Sequence, residues 1–162
     1  MIFLAIVVGI FALDYNVKAY INSHRLQGTE DSYLGGRLIM RNCHNSEGGF
    51  GLFKGREKLG AEINTAVFTC TAWEFVKLFF KKGARLTKLG LSMILGGGLS
   101  NFYDRKTSGY VTDYFSFGVK NKKFRNIVFN LSDLFIFAGA LLYFIGQLAE
   151  CGRKAGKSGK RK

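Results

Sequence analysis

Two aspartates carry the chemistry that this chain could perform: Asp113 in GYVTDYF and Asp133 in FNLSD. They lie twenty residues apart, and each borders an apolar stretch that could cross a membrane. An ionisable side chain at membrane depth is expensive to insert and is by default a functional feature. Two carboxylates brought to one place cannot easily ionise together, so one keeps a proton while the other acts as base. A water between them can then attack a peptide carbonyl, with no Ser or Cys nucleophile and no covalent intermediate. On these two segments alone, a helix cap and a surface loop acid are the simpler reading, because Ser132 and Asp133 after Asn130 suit a helix start.

The elements that must position the pair are helices long enough to cross a bilayer, which takes roughly 20 mostly apolar residues each. Met1 to Ile21 supplies the first, with Asp14, Asn16 and Lys18 near its far end. It lacks the basic leader and small-residue cleavage site of a signal peptide, so it is read as a retained helix. Ser23 to Gly60 is a polar, glycine-rich loop in which RLIMRN (Arg37 to Asn42) suits a short strand and Gly48-Gly49 a turn. Ile63 to Phe80 is the second candidate, and it must turn Asn64, Glu74 and Lys77 inward or snorkel them. Leu86 to Tyr103 is the third, with Gly96, Gly97 and Gly98 permitting close helix approach. Val128 to Leu148 is the fourth. With a rise of about 1.5 Å per residue, Asp133 falls less than two helical turns past that start, level with Asp14 and Asn101 at one end of the bundle. The expected fold class is therefore an all-α integral membrane protein of four transmembrane helices with a small extracytoplasmic β-containing loop region. Residues 1–150 form the membrane domain and 151–162 a flexible basic tail.

Charge is segregated to match. Of 162 residues 48% are apolar and 16 are Phe, yet 22% are charged and the net charge is +13. Such a charge fits a nucleic-acid binder only if the basic residues share one face with stacking aromatics. Here Lys77, Lys81, Lys82, Arg85 and Lys88 cluster between two apolar stretches, and Arg153 to Lys162 follow the last. Lysine and arginine beside membrane helices mark the cytoplasmic side, which puts both termini inside and the aspartates outside. Lys120, Lys122, Lys123 and Arg125 sit in an outward loop and oppose that rule. Trp73, Tyr103, Tyr110 and Tyr114 fit an interfacial aromatic belt. Cys43, Cys70 and Cys151 are odd in number and widely spaced, which reads as unpaired thiols, and their spacing with His24 and His44 matches no zinc pattern.

Five segments, in chain order, resemble the lipoprotein signal peptidase (signal peptidase II) family of intramembrane aspartyl proteases. LDYNVK (Leu13 to Lys18) is similar to its Asp-x-x-x-Lys element, and NSEGGF (Asn45 to Phe50) to its Asn-Thr-Gly-Ala-Ala-Phe loop. GGGLSNFYDR (Gly96 to Arg105) is similar to its Gly-Gly-x-x-x-Asn-x-x-Asp-Arg element, and GYVTDYF and FNLSD to the segments that each contribute a catalytic aspartate. Any one of these strings is weak; five in order against four apolar stretches are not. Glu47 stands where the family usually has glycine, Ser132 where it has alanine, and the chain has no proline.

The resemblance implies a catalytic pair of Asp113 and Asp133. Asn45, Asn101 and Asn130 would line the site, Arg105 would support it, and Asp14 and Lys18 would shape it and position substrate. For Asp14 and Lys18 a polar helix end with a snorkelling lysine is a nearly equal reading, and Asp104 is expected to partner Arg105. The implied activity is endoproteolytic removal of the signal peptide from prolipoproteins, before a cysteine carrying a diacylglyceryl group. It would be performed by a monomer in the bacterial cytoplasmic membrane, with lipid as its surroundings, no nucleic acid, no metal and no cofactor. A catalytically silent relative acting as a scaffold is the alternative.

Overall fold

The computed structural model describes residues 1–46 and 55–159. Glu47 and the Gly48-Gly49 turn lie outside the described residues. The elements run α1 (Ile2–His24), β1 (Glu30–Tyr33), β2 (Leu38–Asn45), α2 (Glu57–Phe79), α3 (Arg85–Thr107), β3 (Val111–Phe117), α4 (Lys122–Arg125) and α5 (Leu131–Gly159). The chain is mostly helical with one small antiparallel sheet in the order β1-β2-β3.

Among the described residues two helices are long and apolar enough to cross a membrane, Ile2–His24 and the Leu131–Arg153 part of α5. Their surfaces explain why. On α1 the buried residues Val7, Ile10, Asp14, Lys18 and Ile21 recur at helical spacing. The flanks of that stripe are also apolar, with Leu4, Val8 and Leu13 about half exposed. On α5 the exposed set Leu134, Phe137, Leu141, Phe144, Ile145 and Leu148 repeats every three or four residues. A continuous exposed apolar stripe of this kind needs a non-aqueous neighbour. α2 and α3 are equally long but less apolar. α3 has an internal reason, since it packs against the other three long helices and is largely surrounded by them.

The triple glycine shows how. A Cβ at Gly96 would lie 2.8 Å from the Ile10 side chain on α1, one at Gly97 2.6 Å from the Ser132 carbonyl on α5, and one at Gly98 3.2 Å from Phe68 on α2. Three consecutive positions, each turned about 100° from the last, therefore meet three different helices. Further along the α3–α5 contact, Gly90 and Gly139 bring the two backbones together.

The sheet is larger than one expected strand. β1 and β2 form a hairpin around Leu34, Gly35 and Gly36, all with positive φ. GYVTDYF is itself a strand, β3, paired antiparallel with β2. The ladder slips between Met40 and Cys43, a bulge that bends β2 beside Asp113. On its other edge β3 meets the chain entering α5, where Tyr114 and Phe115 N–H both reach the Phe129 carbonyl. That bridge delays the last helix to Leu131, so Asp133 stands in its first turn rather than deeper along it. At the far end the helix continues through Gly159, past residue 150, because Ala, Lys and Arg readily extend an existing helix.

Packing at Gly97 gives a test. Gly97→Ala drives a methyl group into the Ser132 carbonyl, and overpacking of this kind costs about 1–3 kcal/mol. The thermal midpoint in detergent should fall, whereas Gly9→Ala, with nothing within 4 Å, should leave it unchanged or raise it. Equal midpoints for the two variants would remove Gly97 as the α3–α5 contact.

Candidate active site

Both aspartates are held by asparagine amides around one small cavity. Asp113, 4% exposed, accepts Asn130 Nδ2 at 2.7 Å on Oδ1 and Asn45 Nδ2 at 2.9 Å on Oδ2. Asp133 accepts Asn101 Nδ2 at 3.2 Å on Oδ1 and the Asn130 backbone N–H at 3.1 Å on Oδ2. In return the Asp133 N–H donates to Asn130 Oδ1 at 3.0 Å. That reciprocal pair is a capping box, so the helix-cap reading of Asp133 is correct and coexists with its place at the site. Asn45, Asn101, Arg105, Val111, Asp113, Asn130 and Asp133 enclose about 70 Å³, room for a water molecule with polar partners.

The amide orientations follow from their partners. Lys18 Nζ, which can only donate, contacts Asn101 at 2.8 Å, so that atom is Oδ1 and the Asn101 NH2 faces Asp133. Asn130 Oδ1 takes the Asp133 N–H, so its NH2 faces Asp113 and Asn101.

Behind the cavity lies an ionic centre. Asp14 is fully buried and Lys18 is 2% exposed, so the lysine does not snorkel. Lys18 Nζ pairs with Asp14 at 2.7 Å and with Asp104 at 2.9 Å. Asp104 is thus the partner of Lys18, not of Arg105, and it also accepts the Thr112 N–H. Helix geometry decides this: neighbours in sequence point about 100° apart, so Asp104 turns to α1 while Arg105 turns to the cavity. Arg105 donates to the Asn101 carbonyl at 3.3 Å. Asp14 also accepts Ser100 Oγ and Ser132 Oγ, each at 2.6 Å, the Ser132 N–H at 3.2 Å and the Tyr114 hydroxyl at 3.1 Å.

Tyr114 therefore does not belong to a membrane belt. It is 4% exposed, and its oxygen also accepts the Leu131 N–H at 2.9 Å. Burial and the Asp14 carboxylate push its phenol further above the usual range, so it remains a donor. Of the other aromatics assigned there, Trp73 and Tyr103 are exposed, while Tyr110 stacks on His44 at 3.8 Å. Ser100, Ser132 and Tyr114 are the residues that sequence reasoning missed. Only Ser132 left a signal, as a departure from the family pattern.

The family model described as Signal peptidase (SPase) II matches residues 6–149. The chain belongs to the signal peptidase II family. It is 30% identical, over 95% of its length and 95% of the relative's, to the lipoprotein signal peptidase of Caldicellulosiruptor bescii. It is 28% identical to that of Lactiplantibacillus plantarum over 92% of this chain and 95% of the other. In fold it is similar to a bacterial membrane enzyme solved by the in meso method at 2.3 Å, with TM-score 0.77, 21% identity and coverage of 94% of this chain and 90% of that one. Family membership implies a protease.

Two measurements follow. Lys18→Met strands two carboxylates beside the site, and breaking a buried ion pair costs about 3–5 kcal/mol. A loss below about 1 kcal/mol in denaturant unfolding would show that Lys18 is not the counter-ion of this family member.

The second concerns the Asp113 carboxyl, which lies on β3 and is pushed up from 3.8 to about 7, first by burial and then by the Asp133 charge, against the pull of the Asn45 and Asn130 hydrogen bonds. The folded chain thus holds this proton more tightly than the unfolded chain does. Asp113 weighs increasingly against stability as pH climbs from 3.8 to about 7, and by a constant amount above that. Asp113→Asn has no charge to desolvate, so its midpoint should rise relative to the parent between about pH 4 and pH 8. A difference that stays flat over that range means Asp113 does not hold the proton.

Proposed function

We propose that Asp113 and Asp133 are the catalytic pair of an intramembrane aspartyl endopeptidase that removes signal peptides from diacylglyceryl-modified prolipoproteins, cutting before the lipidated cysteine. The observation that carries this reading is the pair of carboxylates at one water-sized cavity, each anchored by asparagine donors. Membership of the signal peptidase II family, and relatives named lipoprotein signal peptidase, support the substrate class.

The pair holds one proton and titrates as a unit. The ionised carboxylate takes a proton from the bound water, whose oxygen attacks the scissile carbonyl carbon. The protonated partner donates to the carbonyl oxygen, giving a neutral tetrahedral diol. Collapse breaks the C–N bond, sends a proton to the leaving amine and returns the pair to its single-proton state. Asn45, Asn101 and Asn130 orient the carboxylates, while Lys18, itself paired with Asp14, holds Asn101 from behind. Arg105 lines both the cavity and an adjoining apolar cleft of about 200 Å³ between α2, α3 and α5, whose walls include Val67, Phe68, Ile94, Phe102 and Ile136. That cleft is where the hydrophobic substrate reaches the pair from the side.

In this reading all four long helices cross the bilayer. α2 and α3 have 23 residues each, about 35 Å at the helical rise and enough for the hydrocarbon core. Exposed Val67, Trp73 and Val76 give α2 apolar surface that can face lipid. The Lys77 to Lys88 cluster sits at the end of the bundle away from the aspartates and favours a cytoplasmic position, with the aspartates at the outer face. Residues 1–150 form the membrane peptidase, working as a monomer without cofactor, and 151–162 a cytoplasmic tail.

Asp113→Asn and Asp133→Asn should each abolish turnover of a lipidated precursor, because an amide cannot take a proton from water. Both should still insert and remain folded in detergent. The double variant should be no slower than either single one, since residues acting as a unit are not additive. Near-normal turnover by either folded single variant removes the aspartyl-protease assignment, and an inactive parent chain would favour the silent-scaffold reading.

A further inference from the structure

The basic segment leading into α5 has no part in the site. Lys120, Lys122, Lys123 and Arg125 fall within six residues, and all are exposed. None forms an ion pair among the described residues. The sheet's exposed acidic residues Glu30 and Asp31 sit on β1, at the opposite edge from β3, where they pair with Arg41 and Arg25, and Asp113 on β3 is buried. This is the cluster that opposes the charge rule for an outward loop.

Large apolar side chains share the same rim. Phe117, Val119 and Phe124 are 38%, 40% and 49% exposed. The hairpin turn beside them presents Tyr33 at 49% and Leu34 at 76%. The two segments are locked together, because Gly118 N–H donates to the Arg37 carbonyl at 2.8 Å and a Cβ on Gly118 would sit 1.6 Å from the Gly36 carbonyl oxygen. The presentation is also rigid. Phe117 and Phe124 pack on buried Phe129 with centroids 5.8 and 6.4 Å away, and Asn121 caps α4 by accepting the Lys123 and Phe124 N–H groups.

We propose that this rim docks on anionic phospholipid headgroups of the leaflet bordering the aspartate end of the bundle, with Phe124, Phe117 and Leu34 entering the headgroup region. Juxtamembrane cations are drawn to an anionic leaflet over about a Debye length, and aromatic side chains settle at the headgroup level. Five residues separate the cluster from α5, whose exposed apolar stripe faces lipid, so headgroups lie within its reach. The proposal rests on reading α5 as a membrane span. Docking would press β3, and Asp113 with it, toward the lipid from which a diacylglyceryl substrate arrives.

The test uses the full-length chain in a Trp73→Phe background, with Phe124→Trp on the rim or Phe144→Trp on the α5 stripe as reference. Each is reconstituted into brominated phosphatidylcholine vesicles with and without phosphatidylglycerol, and tryptophan quenching is read. Quenching at position 124 should rise about twofold or more when phosphatidylglycerol is present, and should fall back at high salt. The increase should vanish when Lys120, Lys122, Lys123 and Arg125 are all changed to Gln.

Equal quenching in the two lipids, or an increase that survives the four Gln substitutions, overturns the proposal. Quenching at 144 but not at 124 overturns the docking alone, while none at either position overturns the membrane reading with it. A four-Gln variant slowed only on precursors with acidic residues, equally in detergent and in vesicles, would make the rim a peptide site and the lipid proposal wrong.

Discussion

The Asp14 carboxylate, fully buried with five donors converging on it, is the interaction on which the rest of the structure depends. The donors come from α1, α3, β3 and α5. A buried charge is tolerated only when paired and hydrogen-bonded, so displacing any of these elements would leave it undercompensated. Helices whose apolar faces are poorly defined can slide against one another at little expense. A carboxylate that must meet Lys18, Ser100, Tyr114 and Ser132 together admits one register.

From that centre order passes outward to the aspartate pair. Lys18 fixes which way Asn101 faces, Asn101 and Asn130 then aim their NH2 groups at Asp133 and Asp113, and the capping box ties Asp133 to the same Asn130. The two carboxylates lie on different kinds of element, a strand and a helix start. Their relative position is set by the bridge from Phe115 to Phe129 and by the Tyr114 hydroxyl on the Leu131 N–H. The Asp14 centre therefore reaches the pair by two routes, through Lys18 and Asn101 and through Tyr114.

α3 shows what such a site asks of a central helix. It supplies glycines for close approach and Ser100, Asn101, Asp104 and Arg105 for the polar centre, and much of it is buried. Its low hydropathy is the consequence of standing in the middle. α1 and α5, on the outside, carry the apolar stripes instead.

The sequence by itself singled out most of the polar residues that the fold gathers at the cavity. Carboxylates, asparagines and a lysine near apolar stretches are costly enough to be informative, and five ordered segments carried the resemblance to signal peptidase II. Mostly helical architecture with a small β region was equally legible, from the length and hydropathy of four stretches. What only the tertiary structure decided was partnership. Asp104 is adjacent to Arg105 in the chain yet pairs with Lys18, because successive helical side chains diverge by about 100°. Tyr114 reads as an amphipathic interfacial residue yet ends beneath Asp14, because β3 is buried along Val111 to Ser116 and its alternate side chains enter opposite interiors. GYVTDYF disclosed no strand on its own, since what makes it one is the edge of β2 and the bridge to Phe129. Chain-local patterns register an element's own period and polarity; who meets whom across α1, α3, β3 and α5 depends on distances that no local pattern contains.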